Sequence, residues 1–570
     1  MRDYSEDSFL ACKSRGLSEV SARVLAARTA EVPWEVEDVV APSLKLIPNP
    51  KLLADIETSA SRLAEAIQKG QHIGLLTDYD VDGITSHTIA IEVIESLFKH
   101  PRERIHSFIG HRITEGYGIS DKLTARILEA DPRPQVIITA DCGSSDEKNI
   151  AHLKGAGIDV IVSDHHGIPA AGLPSSAMAV VNPNRSDCHY PDKSIAGCMV
   201  TWLLLSHLRN HLIQQGLIST DTKKLSLWLD LVALGTVADA VSLAGPVNRV
   251  IVQTGLKQLN LKRRVCWQVL SQSLGKTQFE VDDLGFQIGP RINARGRIAD
   301  PSAALHFLCA TEPKDAQAKL SVLEKDNEDR KTIEKGMVAK GQTLIDLDKQ
   351  FSQVVFDPEF HPGVQGIVAS RLLDAWGKPA VVFSPGRQSD TITGSARSIP
   401  DVHILDVLKT LSQDDPDLFV AFGGHAGAAG MTLLRNKLQA FAQAFDREIA
   451  SRLDHPPQAQ VWTDGELPAT HMTMALVNEL QQLQPYGRGF EPPVFAGLFL
   501  VQGVRPVGAE GNHLQLSLER DGYGFRGIWF NAGEFVSEGD TLACAYRLDV
   551  NRFNGSEHLQ LIVQYAEIAS

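Results

Sequence analysis

Three stretches decide how this chain is read: HIGLLTDYDVDG (72–83), QVIITADCG (135–143) and DVIVSDHHG (159–167). Each is a short, β-branched apolar run that ends in acidic residues. Apolar runs of this length, set between helical patterns, predict buried strands of a parallel sheet. All three place carboxylates at strand carboxyl ends, where open α/β sheets build their sites. Asp78, Asp80 and Asp82 alternate across one such end, so Asp80 and Asp82 can point the same way. Asp141, Asp164, His165 and His166 join them from the other two ends.

Outward from this centre, the chain divides by pattern. Residues 1–50 read as a helical lead-in, with Leu17, Val20, Val24 and Leu25 on one face. A helix is expected over 51–68, with Leu52, Ile56, Leu63 and Ile67 facing inward. Residues 225–240 (LSLWLDLVALGTVADA) read as an apolar helix carrying Asp239 near its end. The stretch 257–300 holds eight Lys/Arg against four Asp/Glu, a local excess of +4. Residues 312–350 predict a long, exposed connecting helix. A second α/β unit follows over 351–455, with strands at QVVFD and AVVFS and a glycine-rich GGHAGAAG (423–430) before a helix. Prolines 456, 457 and 468 mark a boundary, and 459–570 shows alternating strand-like runs with glycine turns. Five or so short strands suit a small barrel of the oligonucleotide-binding kind, or another small β-domain. The expected catalytic unit thus spans 51–311.

Composition bounds the function. At about 150 residues per domain, 570 residues imply three or four domains. With 43% apolar and 22% charged residues the chain is an ordinary globular one. No run approaches the roughly 18 apolar residues of a membrane helix, so no membrane association is expected. The start, MRDYSEDSFL, has neither a basic nor an apolar leader region, so no secretory signal is expected. Seven cysteines, none spaced C-x-x-C, argue against a disulfide framework or zinc knuckle and favour a reducing cytoplasm. The net charge of −14 would disfavour a nucleic-acid binder if read alone. Carboxylates gathered at metal ions and arginines gathered along one groove remove that objection, because only the local field steers a substrate.

Three carboxylates within DYDVD repel one another unless cations neutralise them. DYDVD alone fits a solvated turn or a calcium loop as well, a His-His pair is common on surfaces, and Asp239 can simply end a helix. Three strand ends bearing carboxylates, one with the histidines, favour a metal site. A carboxylate-rich set with one or two imidazoles suits Mn²⁺ or Mg²⁺ rather than structural zinc. Two such ions about 3.5–4 Å apart are the usual apparatus for hydrolysing phosphate esters, acting by acidifying water.

DYDVDG, ADCG, SDHHG and GGHAGAAG together resemble the hallmarks of the DHH phosphoesterases. GPRINARGR (289–297), HPGVQGIVASRL (361–372), GSARS (394–398) and PYGRGFEPPVF (485–495) resemble further signatures of their bacterial single-strand-specific exonuclease branch. The resemblance runs from about residue 40 to the end. It implies Asp80, Asp82, Asp141, His165 and Asp239 as ligands of two Mn²⁺ or Mg²⁺ ions, with Asp141 bridging. It places His166 near the scissile phosphate, and Asp78 and Asp164 at the ions or just behind them. The wider superfamily carries a histidine where this chain has Leu76, so one ion is expected to have fewer protein ligands.

The same resemblance implies that Arg112, Ser395 and Arg397 hold a 5′-terminal phosphate, and that Gly423, Gly424 and His425 approach a phosphate. Arg291, Asn293, Arg295 and Arg297 are expected to follow backbone phosphates, and His361 to line the cleft, unless it caps a helix start. Tyr523, Phe525, Trp529, Tyr546 and Phe553 offer faces for stacking or form barrel core. The implied activity is 5′-to-3′ exonuclease action on single-stranded DNA, releasing 5′-mononucleotides in DNA recombination and repair. Implied partners are a single-strand-binding protein and a helicase, and a monomer is expected. The alternatives are a DHH phosphodiesterase acting on oligoribonucleotides or small molecules, and a non-catalytic replication scaffold.

Overall fold

The apolar run 73–77 forms β1 (Ile73–Thr77), buried along its whole length. It sits beside β2 (Ile105–Ile109) and β3 (Val136–Ala140), with β4 (Asp159–Ser163) and β5 (Ala179–Val181) beyond. The order is β2-β1-β3-β4-β5 and every pairing is parallel, as the continuous apolar runs require. The chain order reverses between β1 and β3, and that switch point is where an open parallel sheet opens a crevice at its carboxyl edge. The computed structural model describes residues 1–29, 35–112, 114–346, 348–508, 511–532, 536–553 and 556–569, without the side chains of 298, 553 and 556.

Apolar helices cover this sheet. Those at Val81–Glu92, Gly197–Gln214 and Leu229–Ala238 contribute Ile84, Leu204 and Leu231 to one continuous core. The helix expected over 51–68 begins later. Pro50–Leu52 is a single 3-10 turn, and the α-helix runs Ile56–Gln68. Leu52 accordingly lies 41% exposed instead of facing inward.

The connecting helix, Pro313–Thr343, has 31 residues and so spans about 46 Å. It is less exposed than its composition suggests. Leu320 and Leu323 sit in the core of the first sheet's unit, while Met337 packs with Val355, Phe360 and Val364 of the next. One helix therefore fixes the two units against each other.

The second sheet contains β6 (Gln353–Phe356), β7 (Ala380–Pro385), β8 (Thr391–Arg397), β9 (Ala421–Gly424) and β10 (Ala428–Leu434), in the order β6-β7-β8-β10-β9. Only β6 and β7 are parallel. GGHAGAAG does not lead into a helix. It closes the β9–β10 hairpin, and the helix Leu438–Ala450 begins only after β10. The tail forms a closed barrel of β11 (Phe495–Val507), β12 (His513–Arg520), β13 (Tyr523–Trp529), β14 (Thr541–Phe553) and β15 (Ser556–Ile568). Its order, β11-β12-β13-β15-β14, is that of a small oligonucleotide-binding-like barrel.

The lead-in packs at the far end of the chain. Val20, Val24 and Leu25 share a core with Leu476, Phe490 and Tyr546. Arg28 donates two hydrogen bonds to Asp464, at 2.7 and 3.0 Å, with both side chains 1% exposed. Arg249 ties three regions together, donating to the carbonyls of Val39, Leu483 and Pro485 while stacked 3.9 Å from the Phe490 ring.

Candidate metal centre and its facing cations

Three aspartates follow directly on three adjacent strands. Asp78 follows β1, Asp141 follows β3 and Asp164 follows β4. Their backbone N–H groups extend the ladder, donating to Ala140, Ser163 and Val181. Asp141 has φ +62°, a left-handed backbone that is uncommon for a non-glycine residue and typical of strained functional turns. Asp80 caps the next helix, its Oδ1 accepting from the Asp82 and Gly83 N–H groups. Asp82 points the other way, into the start of the helix Gly197–Gln214. There Gly197 and Cys198 donate their N–H groups to its two oxygens at 2.6 and 2.8 Å. That helix start supplies unpaired donors and a favourable dipole. Gly197 is required, because a Cβ would lie 2.9 Å from the Asp141 Cβ and 3.0 Å from Asp82 Oδ2.

The ring closes through His165. Its Nε2 lies 3.2 Å from Asp141 Oδ1, 3.7 Å from Asp239 Oδ2 and 3.8 Å from Asp82 Oδ2. Three overlapping donor sets converge: Asp141–His165–His166, Asp82–His165–Asp239 and Asp78–Asp80–Asp141, each with ligand atoms within 4.8 Å of one another. Burial and then the neighbouring carboxylates push Asp141 well above the usual carboxylate range. Asp239 rises to about 9 through burial and the charges of Asp82 and Asp80. So many acids cannot ionise together without cations. Asp78 Oδ1, Asp141 Oδ1 and His165 Nε2 are buried with no hydrogen-bond partner. Orphaned acceptors from carboxylates and imidazole, with no thiolate among the converging donors, fit oxygen-preferring divalent ions such as Mn²⁺ or Mg²⁺.

Asp164 stands outside these sets. Its oxygens accept from the Ser144, His165 and His166 N–H groups and from His166 Nδ1 at 2.8 Å. It orients the histidines and does not point at the ring. Burial lowers the pKa of His166, but Asp164 more than reverses this, bringing it up to about 9. The Tyr117 hydroxyl donates to the Asp141 carbonyl at 3.2 Å and lies 3.1 Å from His166 Nδ1. Neither Tyr117 nor Gly197 stands out in sequence. Tyr117 occupies the loop after β2, at the same sheet edge, which is the only signal for it.

Guanidinium groups face the acids. Burial lowers Arg297 to about 10, and Arg112, Arg330 and Arg397 add to the shift while Asp80 opposes it. Arg112 stacks 4.7 Å from the Tyr79 ring, and its Nε is buried without a partner. Arg397 donates to Ser395 Oγ at 3.1 Å. His425 is lowered by burial and then by His166, Arg397, Arg488 and His165, so the glycine-rich hairpin faces the histidines across the cleft. Gly423 and Gly424 lie in that hairpin, at the end of β9. Arg330 and Arg488 are additions that the sequence did not single out. Arg488 reaches from the barrel's approach segment to the Ala240 carbonyl at 3.4 Å, beside Asp239.

Several expected phosphate contacts have other partners. Asn293 Oδ1 accepts the Val81 N–H at 3.0 Å, fixing the start of the Asp82 helix. Arg295 pairs with Asp326 at 3.0 Å, and Arg291 donates to the Gln287 carbonyl at 2.8 Å. Arg297 also donates to the Gly363 carbonyl at 3.1 Å. His361 Nδ1 accepts from the Gly363 N–H at 3.1 Å, capping its own turn. Among the barrel aromatics, Tyr546 and Trp529 are core, Phe525 is half-buried and Tyr523 is 50% exposed. The side chain of Phe553 lies outside the described residues.

Family models match over three regions: the DHH family N-terminal domain at 72–236, the DHHA1 domain at 348–451 and the RecJ OB domain at 463–565. The single-stranded-DNA-specific exonuclease RecJ of Haemophilus influenzae is 34% identical over 541 residues, covering 92% of each chain. This chain belongs to the RecJ family. RecJ of Escherichia coli is 34% identical over 532 residues and 90% of each chain. The RecJ–Mn²⁺ crystal structure from Thermus thermophilus superposes with a TM-score of 0.81 at 27% identity, covering 100% of this chain and 79% of that one. A RecJ structure from the same organism holds Mg²⁺, with a TM-score of 0.76 at 26% identity. No helix among the described residues is long and apolar enough to cross a membrane.

Proposed function

We propose that this protein is a metal-dependent, single-strand-specific DNA exonuclease that works 5′-to-3′ and releases 5′-mononucleotides. The observation that carries the reading is the juxtaposition of buried, unpartnered acceptors on Asp141 and His165 with the facing cluster of Arg112, Arg297 and Arg397. One side suits divalent cations, the other a phosphate end group. Relatives named single-stranded-DNA-specific exonuclease RecJ, and Thermus thermophilus RecJ structures holding Mn²⁺ and Mg²⁺, support its exonuclease and metal parts.

Asp80, Asp82, Asp141, His165 and Asp239, with Asp78 alongside, would hold the ions. When bound, such ions supply charge neutralisation and acidify water. The remaining work belongs to the chain. Asp164 holds His166 by a hydrogen bond that favours its protonated form and orients it to give a proton to the leaving oxygen. Arg112 and Arg397, with Ser395, grip the terminal phosphate and set which end enters; an Arg fork suits such a group. His425 donates from the opposite wall. Single-strand selectivity would follow from a cleft between the two α/β units that admits one strand and excludes a duplex.

Residues 51–311 then perform the chemistry, 351–455 read the strand end and 459–570 guide the strand. The protein acts as a cytoplasmic monomer in recombination and repair, on ends supplied by a helicase and held by a single-strand-binding protein. The test is digestion of 5′-labelled and 3′-labelled single strands with Mn²⁺, beside Asp141→Ala. Early release of labelled mononucleotide from the 5′-labelled strand, lost in the variant, is the expected result. Release from the 3′ label first would overturn the end assignment, and no metal-dependent cleavage would overturn the activity.

A further inference from the structure

A groove separate from the carboxylate ring opens between the basic helix Gly289–Ile298 and the second half of the connecting helix. Its volume is about 750 Å³. That lies within the range of about 300–1,000 Å³ typical of small-ligand clefts. Phe286 lines it and, at 76% exposed, is the most exposed large apolar side chain among the described residues. The ring sits on a π-turn, Leu284–Ile288, where the extra residue per turn breaks the regular helical facing; such turns concentrate at functional sites.

The charged part of the lining is mostly cationic, in a chain of net charge −14. Five basic side chains, among them Arg291, Arg330, Lys331 and Arg371, line it with one carboxylate, Glu334, while Glu324 lies 3.9 Å from Arg291 Nε and Glu328 3.5 Å from Lys331 Nζ. Glu334 is shared between Arg330 and Arg371. Arg330 is nine-tenths buried, and the Nε atoms of Arg330 and Arg291 are buried without a hydrogen-bond partner. An exposed aromatic ring beside two guanidiniums whose Nε–H groups lack an acceptor matches one base and one phosphate. Arg330 also belongs to the cluster around Arg297, so the groove adjoins the phosphate side of the cleft.

We propose that this groove is a second nucleotide site, which takes the nucleoside 5′-monophosphate leaving the cleft, with its base on Phe286 and its phosphate on Arg291 and Arg330. The assignment of the ligand as reaction product rests on the proposed exonuclease activity. A single exposed ring matches one released nucleotide better than a continuous strand, which would need a row of them.

The test uses the full chain carrying Phe286→Trp in EDTA, with dAMP titrated against fluorescence and wild type subtracted. Saturable quenching is expected, retained with Arg397→Ala and weakened with Lys331→Glu. In a competition format, Phe286→Ala binds dAMP roughly tenfold more weakly than wild type, the scale of one base–aromatic stack. Circular dichroism checks that each variant is folded. Quenching by an oligonucleotide but not by dAMP would overturn the released-nucleotide assignment in favour of a strand path. Mn²⁺-dependent cleavage is assayed on the same preparation. Intact cleavage without a dAMP response overturns the groove alone, whereas a response without cleavage supports the groove and counts against the exonuclease reading.

Discussion

The two walls of the cleft are built in opposite ways. The acidic wall comes from one parallel sheet, where Asp78, Asp141 and Asp164 follow adjacent strands and Asp80, Asp82 and Asp239 sit at the ends of helices packed on it. The cationic wall is assembled from distant pieces: Arg112 after β2, Arg297 on a later helix, Arg330 on the connecting helix, Arg397 on β8 and Arg488 before the barrel. Asp78, Asp82, Asp141 and Asp239 are displaced upward by burial and by neighbouring carboxylates, and Arg297 and Arg397 downward by burial and by neighbouring guanidiniums. On the proposed reading, cations complete the first wall and a substrate's phosphates the second, so the electrostatic cost of each is offset in the working complex.

Breaking the acidic wall is expected to have the largest effect. Asp82→Asn puts an amide against the Gly197 and Cys198 N–H donors and removes a ligand charge. Cleavage of single-stranded oligonucleotide should fall on the order of a thousandfold or more, as when one member of a cooperating catalytic set is lost. A tenfold loss or less in a rate assay would mean that the ring does not act as a unit.

The cationic wall should be more forgiving. Arg397→Ala removes a charge-assisted contact of about 1.5–3 kcal/mol, so the preference for a 5′-phosphorylated over a 5′-hydroxyl strand should shrink roughly ten- to a hundredfold. An unchanged preference would move the end pocket elsewhere.

A third test distinguishes the walls by pH. In ion-free protein the folded-state pKa of Asp239, about 9, lies above its ordinary 3.8. The stability this group contributes is full below the ordinary value and is lost as pH rises through about 9. Bound ions displace those protons, so the rise in Tm caused by Mn²⁺ should grow from pH 6 to pH 8.5. A rise independent of pH would show that the acids bind ions without losing protons.

The smallest effect is expected at Arg295, whose partner is Asp326. Arg295→Gln should cost about 0–1 kcal/mol of stability and leave the salt dependence of DNA binding unchanged. A shallower salt slope would return Arg295 to the set of phosphate contacts.

This asymmetry explains what was legible in the sequence. An apolar run followed by aspartate is a local pattern, readable within a dozen residues, because strand and carboxylate are fixed by the same short segment. That is why the β1, β3 and β4 ends were placed from sequence, and why Asp239 was found at the end of an apolar helix. The glycine-rich stretch 423–430 was misread as a lead into a helix, because glycine density marks a turn without saying what the turn connects. Asn293 and Arg295 carry residue types typical of phosphate contacts, and only their neighbours, Val81 and Asp326, reveal their other work.

The sequence by itself determined the parallel sheet, the chemistry of its carboxyl edge, the connecting helix and the strands of the tail, since each follows from periodicity and residue type in one segment. Tertiary structure alone decided that Asp82 is held by the start of the Gly197 helix, that Asp164 serves the histidines, that Arg330 and Arg488 join the cleft and that the lead-in helices share a core with the barrel. Except for Asp164, which holds the two histidines next to it in the chain, those features depend on contacts between segments tens to hundreds of residues apart. No local pattern encodes such contacts, because they exist only once the apolar faces of all the elements have been buried against one another.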